Sequence, residues 1–445
     1  MKIYTVILAA GEGKRMRSRK PKVLHKIGQV PMINNTLLLA RELNSEKIIV
    51  VTGHKASDVE AWVKENYPEV HFVRQKTQLG TGHAVKMAET SLPQNAALLL
   101  ILYGDTPFVS ASTINKMLEE ITNGVTLVVL GFKETKSNSY GKLIQSETVY
   151  LERIIEHKDA NSEEQKNILC NSGIVLGKCN KIFMLLDKLK SDNVQKELYL
   201  TDIVERGNEI GLKTGVTLCS SEEAMGVNSM SELAKAENIF QEKIRKKMLE
   251  KGITLIAPDT VYFSHDTKIG EGSIIEPNVI FGEGVTLDQD VTIRAFSYLE
   301  DCTVRTGATI GPFARIRPGS DIGKDAKVGN FVEIKSSKLG KETKVNHLAY
   351  VGDAVLGEKV NFGAGSIICN YDGVKKHQTE IGNNAFIGSN SSLVAPIKIG
   401  KQTMVGSGTV VTRNVPDNDL ALSRTRQTNK KNFGKKIMQS RKPIK

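Results

Sequence analysis

Between about residues 253 and 411 the chain repeats itself in sixes. Ile269-Gly-Glu-Gly-Ser-Ile, Phe281-Gly-Glu-Gly-Val-Thr, Ile322-Gly-Lys-Asp-Ala-Lys, Leu356-Gly-Glu-Lys-Val-Asn and Ile399-Gly-Lys-Gln-Thr-Met each open on an apolar residue followed by Gly. Each carries a small or β-branched residue fifth. Such a hexad is a short strand plus a turn. Its first side chain points inward and its fifth shares the interior. Three hexads close a triangular coil of about 18 residues, and coils stack at the ~4.8 Å strand spacing. The expected fold of this half is an all-β, left-handed parallel β-helix.

The remaining length needs a different architecture. A chain of 445 residues, 40% hydrophobic and 25% charged, has the size for two or three globular domains. Residues 1–228 alternate strand-like runs (3–10, 47–51, 71–74, 96–103, 126–132) with helical patterns (32–43, 56–66, 81–90, 112–121). This alternation predicts an α/β, Rossmann-like domain: a mostly parallel sheet with helices on both faces, and ligands beyond the carboxyl ends of its strands. Ser229 and Glu232 then form a capping-box pattern. Leu233, Ala236, Phe240, Ile244 and Met248 follow at helical spacing, with Gly252 as a stop. The expected division is 1–228, a linker helix over 229–251, and a β-helix domain with a basic tail over 252–445.

Charge and cysteine usage narrow the setting. The net charge of +12 owes much to the segment after Ala421, where Arg424, Arg426, Lys430, Lys431, Lys435, Lys436, Arg441, Lys442 and Lys445 occur without an acid. Such a run is more often a solvated tail than a nucleic-acid-binding arm, so no nucleic-acid partner is expected. Five irregularly spaced cysteines without a CxxC indicate neither a disulfide framework nor a zinc site, and fit a reducing cytoplasm. The apolar N-terminus runs directly into Gly11-Glu-Gly-Lys-Arg and is read as a buried strand rather than a signal peptide. No apolar run is long enough to span a membrane, so no membrane partner is expected.

Three motifs in the first half point to a nucleotide. Leu8-Ala9-Ala10-Gly11-Glu-Gly13-Lys14-Arg15-Met16 follows the first strand. It is neither a Walker A loop nor a complete dinucleotide fingerprint. Its glycines let backbone amides approach an anion, and Lys14, Arg15 and Lys22 can neutralise phosphate oxygens. Alone, such a loop is as often a plain surface turn. Gln78-Leu-Gly80-Thr81-Gly82-His83 is a second Gly-rich turn opening a helix, whose amides favour anions or polar ligand edges. Tyr103-Gly104-Asp105 ends an apolar strand. A lone Asp there is more often a turn former, but a Mg²⁺ ligand is the sharper reading, since Mg²⁺ takes one or two protein oxygens plus substrate phosphates.

These motifs, with Pro21-Lys22-Val-Leu, resemble those of the sugar-nucleotide pyrophosphorylases. Joined to a hexapeptide β-helix, the whole chain resembles, nearly end to end, the bifunctional bacterial enzymes that combine an N-acetylglucosamine-1-phosphate uridyltransferase with a glucosamine-1-phosphate N-acetyltransferase. The resemblance implies that Leu8–Gly11, Gln75, Gly80 and Thr81 contact the uridine nucleotide and that Lys22 binds its phosphates. It implies that Asp105 and Asn228 hold Mg²⁺, and that Gly141, Glu156 and Asn171 hold the N-acetylglucosamine. Lys14 departs from the family's usual Thr. The implied reaction is in-line attack of the sugar phosphate on the α-phosphorus of UTP. Positioning and charge neutralisation by Mg²⁺, Lys22 and Arg15 carry it.

Counting hexads locates a second site. With units starting at 316, 322, 328, 334, 339, 345, 351, 356 and 362, three faces A, B and C recur, and units 334–338 and 351–355 are one residue short. Arg317 and Lys335 then share the second position of face A, one coil apart. Unpaired, they would repel, so an anion between them is expected; phosphate is preferred over a neighbouring Glu333. On face C, His347 sits below Ala364, Ser389 and Ser407 in one column, a groove of about 15 Å for a long thin ligand. Plain surface exposure with small residues at tight corners is the alternative. Residues 370–380 break the repeat as a loop from face A, and solenoid insertions usually lie on the binding face.

By the same resemblance, His347 is the general base for acetyl transfer from acetyl-CoA to glucosamine 1-phosphate, oriented by Glu333. Arg317, Lys335, Tyr350 and Lys376 bind the sugar phosphate, with Asn361 on the sugar. Asn370 and Tyr371 sit at the reacting acetyl group, and Ala364, Ser389, Ser407 and Arg424 line the acetyl-CoA groove. Ser407 is commonly Ala in the family, and Arg426 stands where Pro is usual. The family's sites lie between subunits of a homotrimer. Two rivals remain: a single-activity nucleotidyltransferase with a regulatory or oligomerising β-helix, and a nucleic-acid-binding scaffold using the tail.

Overall fold

A computed structural model describes residues 1–136, 138–145 and 150–440. The chain forms two compact units, Met1–Phe240 and Gln241–Lys445. Arg441, Lys442 and Lys445 of the basic run lie outside the described residues. No helix among the described residues is long and apolar enough to cross a membrane.

The first unit is built on a mixed sheet, ordered by strands Thr214–Cys219, Leu127–Lys133, Leu169–Lys178, Leu98–Tyr103, Ile3–Ala9, Lys47–Thr52 and His71–Arg74. Every residue of Ile3–Ala9 is buried, because the strand is covered on both faces. Its alternating side chains feed two cores. Ile3, Ile7 and Ala9 join Leu37, Val59 and Ile114 on one face; Tyr4, Val6 and Leu8 join Val85, Ile182 and Ile203 on the other. Helices therefore cover both faces, as expected. Sheet direction is less uniform: Leu169–Lys178 runs antiparallel to both neighbours. The strands Lys142–Gln145, Leu151–Ile155, Leu169–Lys178 and Thr214–Cys219 have no counterpart in the sequence reading.

The expected linker is the helix Met230–Glu250, and the boundary between units falls inside it. Ala236 and Ile239 pack with Ile27, Met32, Met225 and Val227. Further along, Met248 belongs to the β-helix core. Gln241, 2% exposed, pairs both backbone groups of Phe263, accepting at 2.9 Å and donating at 2.8 Å. This caps a coil edge that would otherwise leave backbone groups unpaired. The expected capping box is half formed. Ser229 Oγ accepts from Glu232 N–H, but the Glu232 carboxylate accepts from Asn228 N–H, at 2.6 Å.

The second unit is the β-helix, three parallel sheets of ten, eight and eight strands. Hexad openers Ile316, Ile322, Val328, Ile334, Val345 and Val351 are at most 1% exposed, and fifth-position Ala326, Thr343 and Ser366 are fully buried. Ile316 pairs with Ile334, Ile322 with Leu339 and Val345 with Phe362, so the counted register is the observed one. The corner leading from face A to face B varies in length. Leu299 to Val304, Ile334 to Leu339 and Val351 to Leu356 take five residues there instead of six, and residues 370–378 emerge at the same corner. Beyond the last coil the helix Phe433–Ser440 buries no residue.

Candidate functional site

Strands Ile3–Ala9 and Leu98–Tyr103 are paired in parallel, with Leu8 opposite Tyr103, and their carboxyl ends open into a cavity of about 560 Å³. Leu8, Ala9, Ala10, Gly11, Lys22, Gln75, Gly80, Thr81, Tyr103, Asp105 and Asn228 line it, together with Lys14 and Gln78. Gly104 N–H donates to Leu8 O at 3.0 Å, tying the two strand ends together. Arg15 is exposed and does not line the cavity.

Lys22 organises the floor. Its ammonium pairs with Asp105 and donates to Asn228 Oδ1 at 3.1 Å. Gly13 permits this, with φ +66° and an imaginary Cβ 2.9 Å from Lys22 Cβ. Val227 N–H donates to Asp105 O at 2.9 Å, and the Glu232 carboxylate holds Asn228 from the helix start. Two oxygen donors from distant segments thus converge on one cation. That suits a hard divalent ion completed by substrate phosphates. Among the described residues no trio of His, Cys, Asp or Glu could hold a metal by itself.

The second Gly-rich turn is clamped by a segment that sequence reasoning did not single out. Leu198 N–H donates to Leu79 O at 2.8 Å, Gly82 N–H to Leu198 O at 2.8 Å, and Leu200 N–H to Thr81 Oγ1 at 3.0 Å. Gly80 has φ +107°, and a Cβ there would lie 2.5 Å from Leu198 O, so only glycine fits. Gln75 donates to Gly80 O at 3.1 Å, and Gln78 reaches back to Ala10 O at 3.0 Å. Glu197, also unforeseen, lines the cavity.

Gly141, Glu156 and Asn171 form a cluster outside that lining. Asn171 N–H donates to Gly141 O at 2.9 Å, and a Cβ on Gly141 would lie 3.5 Å from Glu156 Oε2. Tyr103 connects the cluster to the cavity: its phenol is pushed up by burial and by the Glu156 and Asp105 carboxylates. Burial also raises the Glu156 carboxyl, which accepts from Thr201 Oγ1 at 3.1 Å. Asp202 is pushed up to about 6 by burial, with Glu205 and Glu156 adding to it.

In the β-helix, register places Arg317 beside Lys335, but neither is unpaired. Arg317 Nη1 lies 2.7 Å from Glu333 Oε1 and Lys335 Nζ 3.5 Å from Asp353 Oδ2. The expectation that mutual repulsion demands an anion is corrected accordingly, because Arg317 has Glu333 from the neighbouring strand and Lys335 has Asp353 from the bend between Tyr350–Gly352 and Ala354–Leu356. Asn370 Nδ2 donates to Asp353 and lies 3.4 Å from Tyr350 Oη. A Cβ on Gly352 would lie 2.4 Å from that hydroxyl, so the glycine makes room for it. The Lys376 ammonium is held below its ordinary value by Lys335 beside it, partly offset by Asp353 and Tyr350. Arg317, Lys335, Tyr350, Asn370 and Lys376 thus gather near the corner from face A to face B.

His347 occupies a different corner. It is exposed, and Nδ1 lies 2.8 Å from Asn330 Oδ1, its register partner one coil below. With the amide oxygen accepting, Nδ1 carries the proton and Nε2 is the basic nitrogen. The expected orientation by Glu333 is therefore corrected: Glu333 is engaged by Arg317, and Asn330 holds the ring. Above His347, Ala364, Ser389 and Ser407 follow in one column, since Phe362, Ile387 and Val405 are paired in turn. Arg424 Nη1 donates to Ser407 O at 2.7 Å and so joins its upper end. Asn361 lies on face C, paired with Lys344. Residues 370–377 form a small hairpin: His377 N–H donates to Asn370 O, and Tyr371, 60% exposed, bridges to Lys376. Amides of Lys375 and Val374 and the His377 ring hold the Asp372 carboxyl well below its usual range.

Comparison with known proteins accords with both halves. Residues 5–166 match the MobA-like NTP transferase domain family, and residues 378–413 match the bacterial transferase hexapeptide family of six repeats. Proteins called "Bifunctional protein GlmU" are similar over almost the whole length. That of Jannaschia sp. (strain CCS1) is 44% identical over 99% of this chain and 96% of its own. That of Ruegeria sp. (strain TM1040) is 48% identical over 98% and 97%. That of Zymomonas mobilis subsp. mobilis is 42% identical over 98% of each.

Proposed function

The chain belongs to the bifunctional GlmU family, and on that premise we propose which of its residues carry each activity. It is a bifunctional uridyltransferase and acetyltransferase of UDP-N-acetylglucosamine synthesis; a β-helix with only a regulatory role is not favoured. The observation that carries the assignment is the convergence of Lys22, Asp105 and Asn228 on a cavity at the carboxyl ends of parallel strands.

In uridyl transfer, the backbone of Leu8–Gly11, with Gln75, Gly80 and Thr81, holds the uridine nucleotide of UTP. Lys22 neutralises its phosphates. Asp105 and Asn228 are the oxygen donors that would hold Mg²⁺, whose chemistry is to neutralise charge on the phosphates. Gly141, Glu156 and Asn171 position N-acetylglucosamine 1-phosphate, whose phosphate oxygen attacks the α-phosphorus as pyrophosphate leaves.

In acetyl transfer, His347 Nε2 takes a proton from the amine of glucosamine 1-phosphate as the nitrogen attacks the thioester carbon of acetyl-CoA. The C–N bond forms, the C–S bond breaks, and the CoA sulfur leaves. Asn370 and Tyr371 stand at the acetyl group, where donors stabilise the developing oxyanion. Arg317, Lys335 and Lys376 outnumber Glu333 and Asp353, and that surplus of positive charge, with Tyr350, suits the sugar phosphate. Ala364, Ser389, Ser407 and Arg424 line the acetyl-CoA groove.

Self-association as a homotrimer completes this site. Phe296, Phe313 and Phe331 stack with centroids 4.9 and 5.2 Å apart, yet are 53%, 46% and 56% exposed. Each adopts a left-handed conformation that costs a bulky residue on the order of 1 kcal/mol or more. A strained, exposed aromatic ladder beside His347 supports burial against another chain. Five free cysteines accord with a cytoplasmic setting. The direct test follows thiol release from acetyl-CoA with glucosamine 1-phosphate, and pyrophosphate release from UTP with N-acetylglucosamine 1-phosphate. Absence of thiol release would leave a single-activity nucleotidyltransferase.

A further inference from the structure

Face C carries a second stack of cations. Lys327, Lys344 and Asn361 are register partners in successive coils, about 4.8 Å apart. Both lysines are exposed, and neither forms an ion pair among the described residues, unlike Arg317 and Lys335. They line a cleft of about 440 Å³ with Asn361, Lys359, Asp325 and Glu342. Of its carboxylates, Glu342 is engaged by Lys341 at 3.3 Å and Lys359 at 3.7 Å, and Asp325 forms no ion pair among the described residues. Three lysines thus face two carboxylates in the cleft, and the like charges of Lys327 and Lys344, directly opposite on neighbouring strands, are relieved when an anion joins them. Both lysines project from paired strands, Lys327–Asn330 and Lys344–His347, so their backbone spacing is fixed by the ladder.

We propose that Lys327 and Lys344 form a phosphate-recognition site at the foot of the acetyl-transfer site, with Lys344 and Asn361 contacting the same ligand. The inference rests on the reading of Asn361 and His347 as acetyl-transfer residues, since Lys344 shares its strand, Lys344–His347, with the base. The ligand class is a phosphate monoester. Both substrates carry one: the 1-phosphate of the amino sugar, which the position favours, and the 3′-phosphate of acetyl-CoA, which a groove rising from His347 towards Arg424 carries farther off.

The test is initial-rate thiol release by the full-length chain with each substrate varied in turn, for wild type, Lys327→Ala, Lys344→Ala and Lys344→Arg. Lys344→Ala raises the KM of one phosphate-bearing substrate by about tenfold, with kcat unchanged, and Lys344→Arg restores it. Lys327→Ala shifts the same KM in the same direction. A rise for glucosamine 1-phosphate identifies the sugar phosphate. A rise for acetyl-CoA that vanishes with 3′-dephospho-acetyl-CoA identifies the cofactor. Uridyl transfer is unaffected throughout. Unchanged KM for both substrates overturns the proposal. So does dissociation of the oligomer in Lys344→Ala, seen by ultracentrifugation, which would make another chain's carboxylate the counter-ion. Wild type without thiol release would remove the acetyltransferase reading itself, and this site with it.

Discussion

Lys22 and Asp105 lie 83 positions apart in sequence and form an ion pair, and the same ammonium reaches Asn228 Oδ1 at 3.1 Å. One cation thus draws together two oxygens that are also the proposed Mg²⁺ donors. Asp105→Ala is expected to lower pyrophosphate release by about a hundredfold or more and to leave thiol release intact. Loss of both activities would show that the two sites are not separate.

His347 is fixed by Asn330 at 2.8 Å, so the two positions differ in their expected effect. His347→Ala removes the proposed base and is expected to lower kcat for acetyl transfer by about 10²–10⁴. Asn330→Ala frees the ring and lowers kcat by about tenfold. Equal, complete loss in both variants would argue that Asn330 serves folding rather than ring orientation. Circular dichroism of the variants accompanies the kinetics.

Gly80 sits where a Cβ would meet Leu198 O at 2.5 Å, at φ +107°. Gly80→Ala therefore forces backbone apart and is expected to destabilise the N-terminal unit by about 1–3 kcal/mol. The KM for UTP should rise while acetyl transfer persists. Calorimetry showing an unshifted first transition would contradict the clash.

Asp202 titrates near 6 because burial and the Glu205 and Glu156 carboxylates disfavour its charge. The folded chain holds this proton more tightly than the unfolded one. The stability it contributes is complete below about pH 4 and is lost as pH rises through about 6. Asp202→Asn should then stabilise the chain above pH 6, by about 1 kcal/mol after solvent screening, and not below pH 4. A melting temperature raised equally at both ends of the range would exclude titration as the cause.

Phe313 stacks between Phe296 and Phe331 with nearly half its surface exposed. Phe313→Asp is expected to shift the sedimentation coefficient to that of a monomer and to abolish thiol release while sparing uridyl transfer. A monomer that still releases thiol would refute a site shared between chains.

The β-helix was legible from sequence because each inward position is marked by residue type. The openers and fifth residues alone placed Arg317 below Lys335 and His347 below Ala364. Of their partners, Glu333 was legible as a neighbouring acid for Arg317, and the others were not. Asp353 lies within a shortened turn, and Asn330 reaches His347 only through register one coil away. In the first unit, Leu169–Lys178 escaped notice because Asn171-Ser-Gly interrupts its apolar run with turn-forming residues. Glu197 and Leu198 could be found only by their contacts, since a backbone clamp leaves no mark in side-chain chemistry.

The corner from face A to face B has a consequence for descent. It holds three five-residue turns and the 370–378 excursion, yet the coils on either side keep their pairing, Leu356 with Ile381 and Ile368 with Leu393. Insertions and deletions there leave every ladder intact, whereas elsewhere a single-residue change would rotate all later side chains out of frame. Arg317, Lys335 and Asp353 flank this one permissive edge. Relatives of this chain can thus diverge in the length of the segment beside the proposed sugar-phosphate site without any change in the prism that supports it.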